Sequence, residues 1–180
     1  MDTRRRAALL GLAFIAFLAL SYIANVIFFS VLGEIFHNQF LAVAMLFIHN
    51  VLAISLILLG MTLYVNLVVL GFFKMEKYGH IVLVHPRTFA IVFAVMILFL
   101  SILRGSNLLY GGINVEALPL ILLVSAPIGI VEGYGIYLTI KKALSRAMSM
   151  KDLVYIYGIF LVAAIIEVGF INLLIWVSRG

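Results

Sequence analysis

From Phe40 to Phe73 the chain runs for 34 residues without a charged side chain. As a single helix that run would measure about 51 Å, against a bilayer hydrocarbon core of about 30 Å. It therefore predicts one long tilted helix, two short crossings bent near Gly60, or one crossing plus a re-entrant piece. Four more apolar runs flank it: Ala7–Leu32, Thr88–Leu103, Ala117–Ile140 and Leu153–Val177. With 66% hydrophobic and 11% charged residues, the chain departs from the roughly 45–50% and 25% of soluble domains. The excess lies in long stretches, so the expectation is an all-α, polytopic transmembrane helical bundle. Residues 1–180 form a single integral membrane domain of about five crossings with a long or broken second helix.

Loop charge orients the bundle. Arg4–Arg6, the loop from Lys74 to Arg87 and the loop carrying Lys141, Lys142, Arg146 and Lys151 are basic, whereas Arg104–Glu116 is nearly neutral. If Phe40–Phe73 crosses once, all three basic segments fall on one side, as the positive-inside rule requires. Two crossings would move both later basic loops outside. The reading is five crossings in the cytoplasmic membrane, N-terminus in the cytoplasm and C-terminus outside. Arg4–Arg6 faintly resembles a twin-arginine leader, but the following run is longer than a signal h-region and reads as a first spanning helix with a basic anchor. Gly33–Gln39 reads as a short polar turn, and Ala143–Met150 as an amphipathic piece at the membrane surface. Tyr134, Tyr137, Tyr155 and Tyr157 are placed near one interface, which pairs the last two spans as a hairpin.

The net charge of +5 sits in loops that set orientation, so nucleic acid is not implied. The absence of cysteine excludes disulfides, thiol chemistry and thiolate metal sites. No His-Glu-x-x-His, Gly-x-Ser-x-Gly, phosphate loop or intramembrane aspartate pair occurs, and the two aspartates, Asp2 and Asp152, lie outside the spans. No catalytic residue, metal or cofactor is assigned.

The fourth run is unlike a plain spanning helix, because Ser125 to Gly135 holds a proline, three glycines and a carboxylate. In lipid, a freed carbonyl or a charge must find its partner inside the protein, so this helix is expected at the centre of the bundle. Ser125, Gly129 and Gly133 recur every four residues, a spacing that lets helix backbones approach. Pro127 frees the carbonyl of Leu123 and reads as a packed kink. Glu132 and Glu167 are the two deep carboxylates; they read either as hydrogen-bonded struts of the bundle or as a proton or cation site. The other intramembrane polar candidates are His49, Asn50, Asn66 and Asn172. By depth His49 is expected near Asn172, and Glu132 is expected to find Asn66, Tyr64, a last-span group or water.

Several of these residues resemble motifs of the stage II sporulation protein M family. Phe47-Ile48-His49-Asn50 with Gly60 is similar to the start of that family's long helix. Tyr64-Val65-Asn66-Leu67 with Leu70-Gly71 is similar to its asparagine followed by Leu-Gly. Ala126-Pro127-Ile128-Gly129-Ile130-Val131-Glu132 resembles its Pro-His-Gly-x-x-Glu signature, with Ile128 in place of the usual histidine. Ala163 to Glu167 resembles the small-residue-then-glutamate pattern of its last span. The resemblance implies a multi-pass membrane protein without catalysis, one that in spore formers works in a peptidoglycan-remodelling complex. The expectation is a scaffold or assembly component, self-associating or bound to a membrane-protein partner. The alternative is a small transporter or channel subunit using Glu132 and Glu167.

Cysteines introduced at Lys77 and Ser145 should resist an impermeant thiol reagent in intact cells, while one at Ser106 should react. Labelling at Lys77 with protection at Ser106 would mean that Phe40–Phe73 crosses twice.

Overall fold

The computed structural model describes residues 3–35, 38–70, 82–110, 115–116 and 118–179. The described residues form five long helices and no strand: α1 (Thr3–Ile35), α2 (Gln39–Val69), α3 (Pro86–Tyr110), α4 (Leu118–Leu144) and α5 (Met150–Arg179). Ala7–Phe28, Gln39–Val69 and Met150–Phe170 are long and apolar enough to cross a membrane, and Pro86–Phe99 is a shorter apolar helix.

The long second run is one continuous helix through Gly60 rather than a broken one. Nothing in Gln39–Val69 interrupts the backbone ladder, since the run holds no proline. Asn38 caps it, accepting a hydrogen bond from Leu41 N–H at 3.2 Å. The polar turn expected at Gly33–Gln39 is shorter than its composition suggests. α1 continues through Gly33 and Glu34 to Ile35, and His37 lies outside the described residues. Pro86 opens α3, where its missing N–H costs nothing. Pro127 lies inside α4, which remains helical on both sides, and Pro127 itself is exposed.

Ala143–Met150 is not an amphipathic surface helix. Ala143 and Leu144 are the buried end of α4, and the chain then reverses. Arg146 adopts a left-handed backbone at φ 53°. Its N–H bonds the carbonyl of Ala143, and the Ala147 N–H bonds that of Lys142, each at 3.1 Å. This is a Schellman end, with arginine where glycine is usual. The left-handed residue turns the chain away from the helix axis, so the polar-apolar alternation of 143–150 could not continue as a helix. Ser149 and Asp152 then cap α5 reciprocally: Ser149 N–H donates to Asp152 at 3.0 Å, and Asp152 N–H donates to Ser149 Oγ at 3.1 Å. A Lys142–Asp152 ion pair of 3.0 Å ties the two helix ends together.

Helices α2, α4 and α5 touch one another, α1 packs on α2, and α3 packs on α4. The half of the bundle nearest the α4–α5 turn, its inner cluster, is filled by Ile54, Val65, Ile136, Ile140, Ile156 and Phe160 with two alanines of α3. The half farthest from that turn, its outer cluster, is filled by Phe28, Ala42, Leu46, Ala164 and Val168. Small residues are among the most deeply buried, with Ala90, Ala163 and Ala164 at 0% exposure beside Ile140 and Thr139, while Leu12, Tyr22 and Val92 are each above 60% exposed. That distribution suits helices in lipid. Large apolar side chains there gain nothing by leaving the surface, and small ones let backbones meet.

Glycine contacts distinguish the faces of α4. A β-carbon at Gly133 would stand 2.7 Å from Leu98 Cδ1 of α3, and one at Gly135 would stand 2.6 Å from the Phe160 ring of α5. Gly129 was expected to be equally tight, yet its β-carbon would meet Leu98 at 3.9 Å, an ordinary contact. The side chain of Ser125 lies outside the described residues. Leu98 is flexible and can give way, but Phe160 is locked in the core. Gly135→Ala should therefore lower the melting temperature, costing about 1–3 kcal/mol by overpacking. Gly158→Ala, with nothing within 4 Å, should not lower it. Equal melting of the two variants would show that α4 and α5 are not in close contact at Gly135.

Candidate functional site

Between the inner and outer apolar clusters lies a polar level built from the three mutually packed helices. On α2, Asn50 stands one turn from Leu46 of the outer cluster and one turn from Ile54 of the inner one. On α4, Glu132 stands one turn before Ile136. Asn50 Nδ2 donates to Glu132 Oε1 at 3.3 Å. Glu167 of α5 lies within electrostatic reach of Glu132. An amide and a carboxylate from two helices thus bond near mid-length, with the Glu167 carboxylate of a third helix in electrostatic range, all half-buried.

The expected partners of Glu132 need correction. Its amide partner is Asn50 and not Asn66. Asn66 lies sixteen residues beyond Asn50 on α2, and its side chain donates to the Thr62 carbonyl of its own helix at 2.7 Å. Asn172 likewise donates back to Val168 at 2.9 Å. His49 turns away from the polar level and stacks on Phe28 of α1, with ring centroids 5.2 Å apart. The reason is helical: adjacent residues point about 100° apart, so Asn50 facing α4 leaves His49 facing α1.

Sequence reading missed a second interhelical bond. Ser55 Oγ and the Tyr157 hydroxyl are 2.8 Å apart, joining α2 to α5 inside the inner cluster. Its sequence position groups Tyr157 with Tyr134, Tyr137 and Tyr155 at one interface. Its position one residue from the fully buried Ile156, and three before Phe160, was the available signal that it could turn inward. Tyr134 of α4 and Tyr155 of α5 lie together at the hairpin, lining one small cavity with Lys142 and Asp152.

Two carboxylates and an amide offer hard oxygen donors to a proton or a monovalent cation. Among the described residues no group of three or more His, Asp and Glu side chains could hold a metal ion. Comparison with protein-family models, curated proteins and solved structures finds no match to this chain.

The Asn50–Glu132 bond can be measured directly. In detergent, Asn50→Leu and Glu132→Leu should each lower stability, and a double-mutant cycle should return a coupling of about 0.5–2 kcal/mol. Glu132→Gln, which keeps an acceptor oxygen, should retain most of that coupling. Additive single effects would mean that the two side chains do not bond.

Proposed function

We propose that the chain is an integral membrane protein of five crossings, N-terminus in the cytoplasm and C-terminus outside. We further propose that it serves as a non-enzymatic structural component of a membrane complex. The resemblance to the stage II sporulation protein M family is the source of the envelope-related part of this reading. The observation that carries the structural part is that mid-depth polar groups are used across helices. Asn50 bonds Glu132, and Ser55 bonds Tyr157. Polar side chains used in this way hold helices in register where the hydrophobic effect offers no attraction between them. The many large apolar residues left on the outside, and alanines at the helix contacts, support the lipid setting.

One observation favours a second reading, a small transporter or channel subunit. Glu132 and Glu167 come from different helices, and Glu167 lies within electrostatic range of Glu132. Two like charges in a poorly polarisable interior repel strongly, and a proton or monovalent cation between them would remove the repulsion. Flux separates the two readings. Purified protein in liposomes carrying a pH-sensitive dye should pass protons or sodium no faster than empty liposomes. It should also run as a homo-oligomer, or co-purify from native membranes with a membrane protein in fixed ratio. A proton or sodium flux lost in Glu132→Gln, with the melting temperature kept, would replace the structural reading with the transport one. A monodisperse monomer without partner or flux would refute both.

A further inference from the structure

The cleft between α3 and α4 has the chemistry of a lipid site. A cavity of about 260 Å³ runs along these helices, lined by Ile91, Val95 and Leu98 of α3 and by Gly129, Gly133 and Tyr137 of α4. Its walls are apolar for most of that length, and on α4 the two glycines alternate with Ile130, Tyr134 and Tyr137. One turn before Ile91 stands Arg87, and one turn after Tyr137 stands Lys141. The cleft therefore passes from apolar to cationic at the end where α3 begins and α4 ends.

Both cations lie beside Tyr137. The Arg87 guanidinium and the Lys141 ammonium are within electrostatic reach of its hydroxyl. The Lys141 ammonium also lies 5.5 Å from the centre of the Tyr137 ring. Among the described residues the ion pair at this end of the bundle is Lys142–Asp152, and neither Arg87 nor Lys141 is paired with a carboxylate. Two positive charges held around one phenol repel unless an anion lies between them. The first turn of α3 adds to the field. The Phe89 N–H bonds the His85 carbonyl, leaving the N–H groups of Arg87 and Thr88 without helical acceptors.

We propose that this cleft binds one anionic phospholipid, its phosphate between Arg87 and Lys141 and an acyl chain along the Ile91–Gly133 groove. The proposal rests on the membrane reading above, with this end of the bundle at the cytoplasmic leaflet, where anionic headgroups meet basic residues. A free phosphate would use the cations alone; the apolar groove continuous with them favours the lipid.

The test uses the full-length detergent-purified protein, with native mass spectrometry and thermal melting as readouts. Phosphatidylglycerol should stay bound and raise the melting temperature more than phosphatidylcholine of the same chains. Inorganic phosphate and the chain-free headgroup glycerophosphoglycerol should do neither. The double variant Arg87→Gln/Lys141→Gln should weaken phosphatidylglycerol binding on the order of tenfold. The charge-keeping exchange Arg87→Lys/Lys141→Arg should restore it. Arg146→Gln, which removes one charge from the same end of the bundle, should leave binding unchanged. Equal weakening in Arg146→Gln would reduce the effect to bulk surface charge and overturn the site. Stabilisation by inorganic phosphate equal to that by lipid would overturn the role of the groove. Failure of the membrane reading looks different: alkaline carbonate would then extract the protein from membranes without detergent.

Discussion

The hydrogen bond from Asn50 to Glu132 is the contact on which the bundle depends. It ties α2 to α4 at the level where the outer and inner apolar clusters meet. In lipid, apolar side chains are as well solvated outside a bundle as inside it, so leucine-rich helices do not select their neighbours. A carboxylate at this depth must find a partner within the protein, since contact with hydrocarbon alone is too costly. Satisfying Glu132 therefore selects one rotation of α4 and brings Asn50 of α2 to face it. Glu167 of α5 lies within electrostatic range of Glu132. Below it the Ser55–Tyr157 bond repeats the arrangement between α2 and α5.

Close packing then follows from that rotation. With Glu132 turned towards α2, Gly133 faces Leu98 of α3 and Gly135 faces Phe160 of α5. Three residues within one turn thus address three different helices. This explains why the segment from Ser125 to Gly135 is poor in large side chains. It also explains why Gly129, four residues before Gly133, borders a cleft instead of a tight contact. At the α4–α5 turn, the Schellman end at Arg146, the reciprocal Ser149–Asp152 cap and the Lys142–Asp152 pair set the entry of α5. These polar ties lie at the end of the bundle, and the mid-level bonds hold the helices above them.

The same geometry divides the chain's basic residues into different roles. Lys142 is consumed by Asp152. Arg146 occupies a strained turn position. Arg87 and Lys141 converge on Tyr137 at the end of an apolar cleft. A tally of positive charge assigns all four to orientation, yet their surroundings distinguish a strut, a turn and a pair gathered beside Tyr137.

Sequence alone was sufficient for the helical class, because apolar runs without proline or charge, such as Gln39–Val69, have only their own backbone to bond. It was also sufficient for the central place of α4, since a run carrying Glu132 among glycines cannot face lipid. Pro86 marked the start of α3 for the same local reason. Which polar residues meet was decided by tertiary structure. Asn50, Asn66 and Asn172 are the same residue type, each within a long apolar helix. Yet two of them bond back to their own helices, and one reaches across, because helix rotation and axial offset select the residue that faces Glu132. Tyr157 and Tyr155 illustrate the same limit. Two residues apart on one helix, they point about 200° apart, so one turns inward to Ser55 and the other towards Tyr134. Hydropathy measures how apolar a segment is along its length and carries no information about the angle at which it meets its neighbours. That angle exists only once the helices are packed.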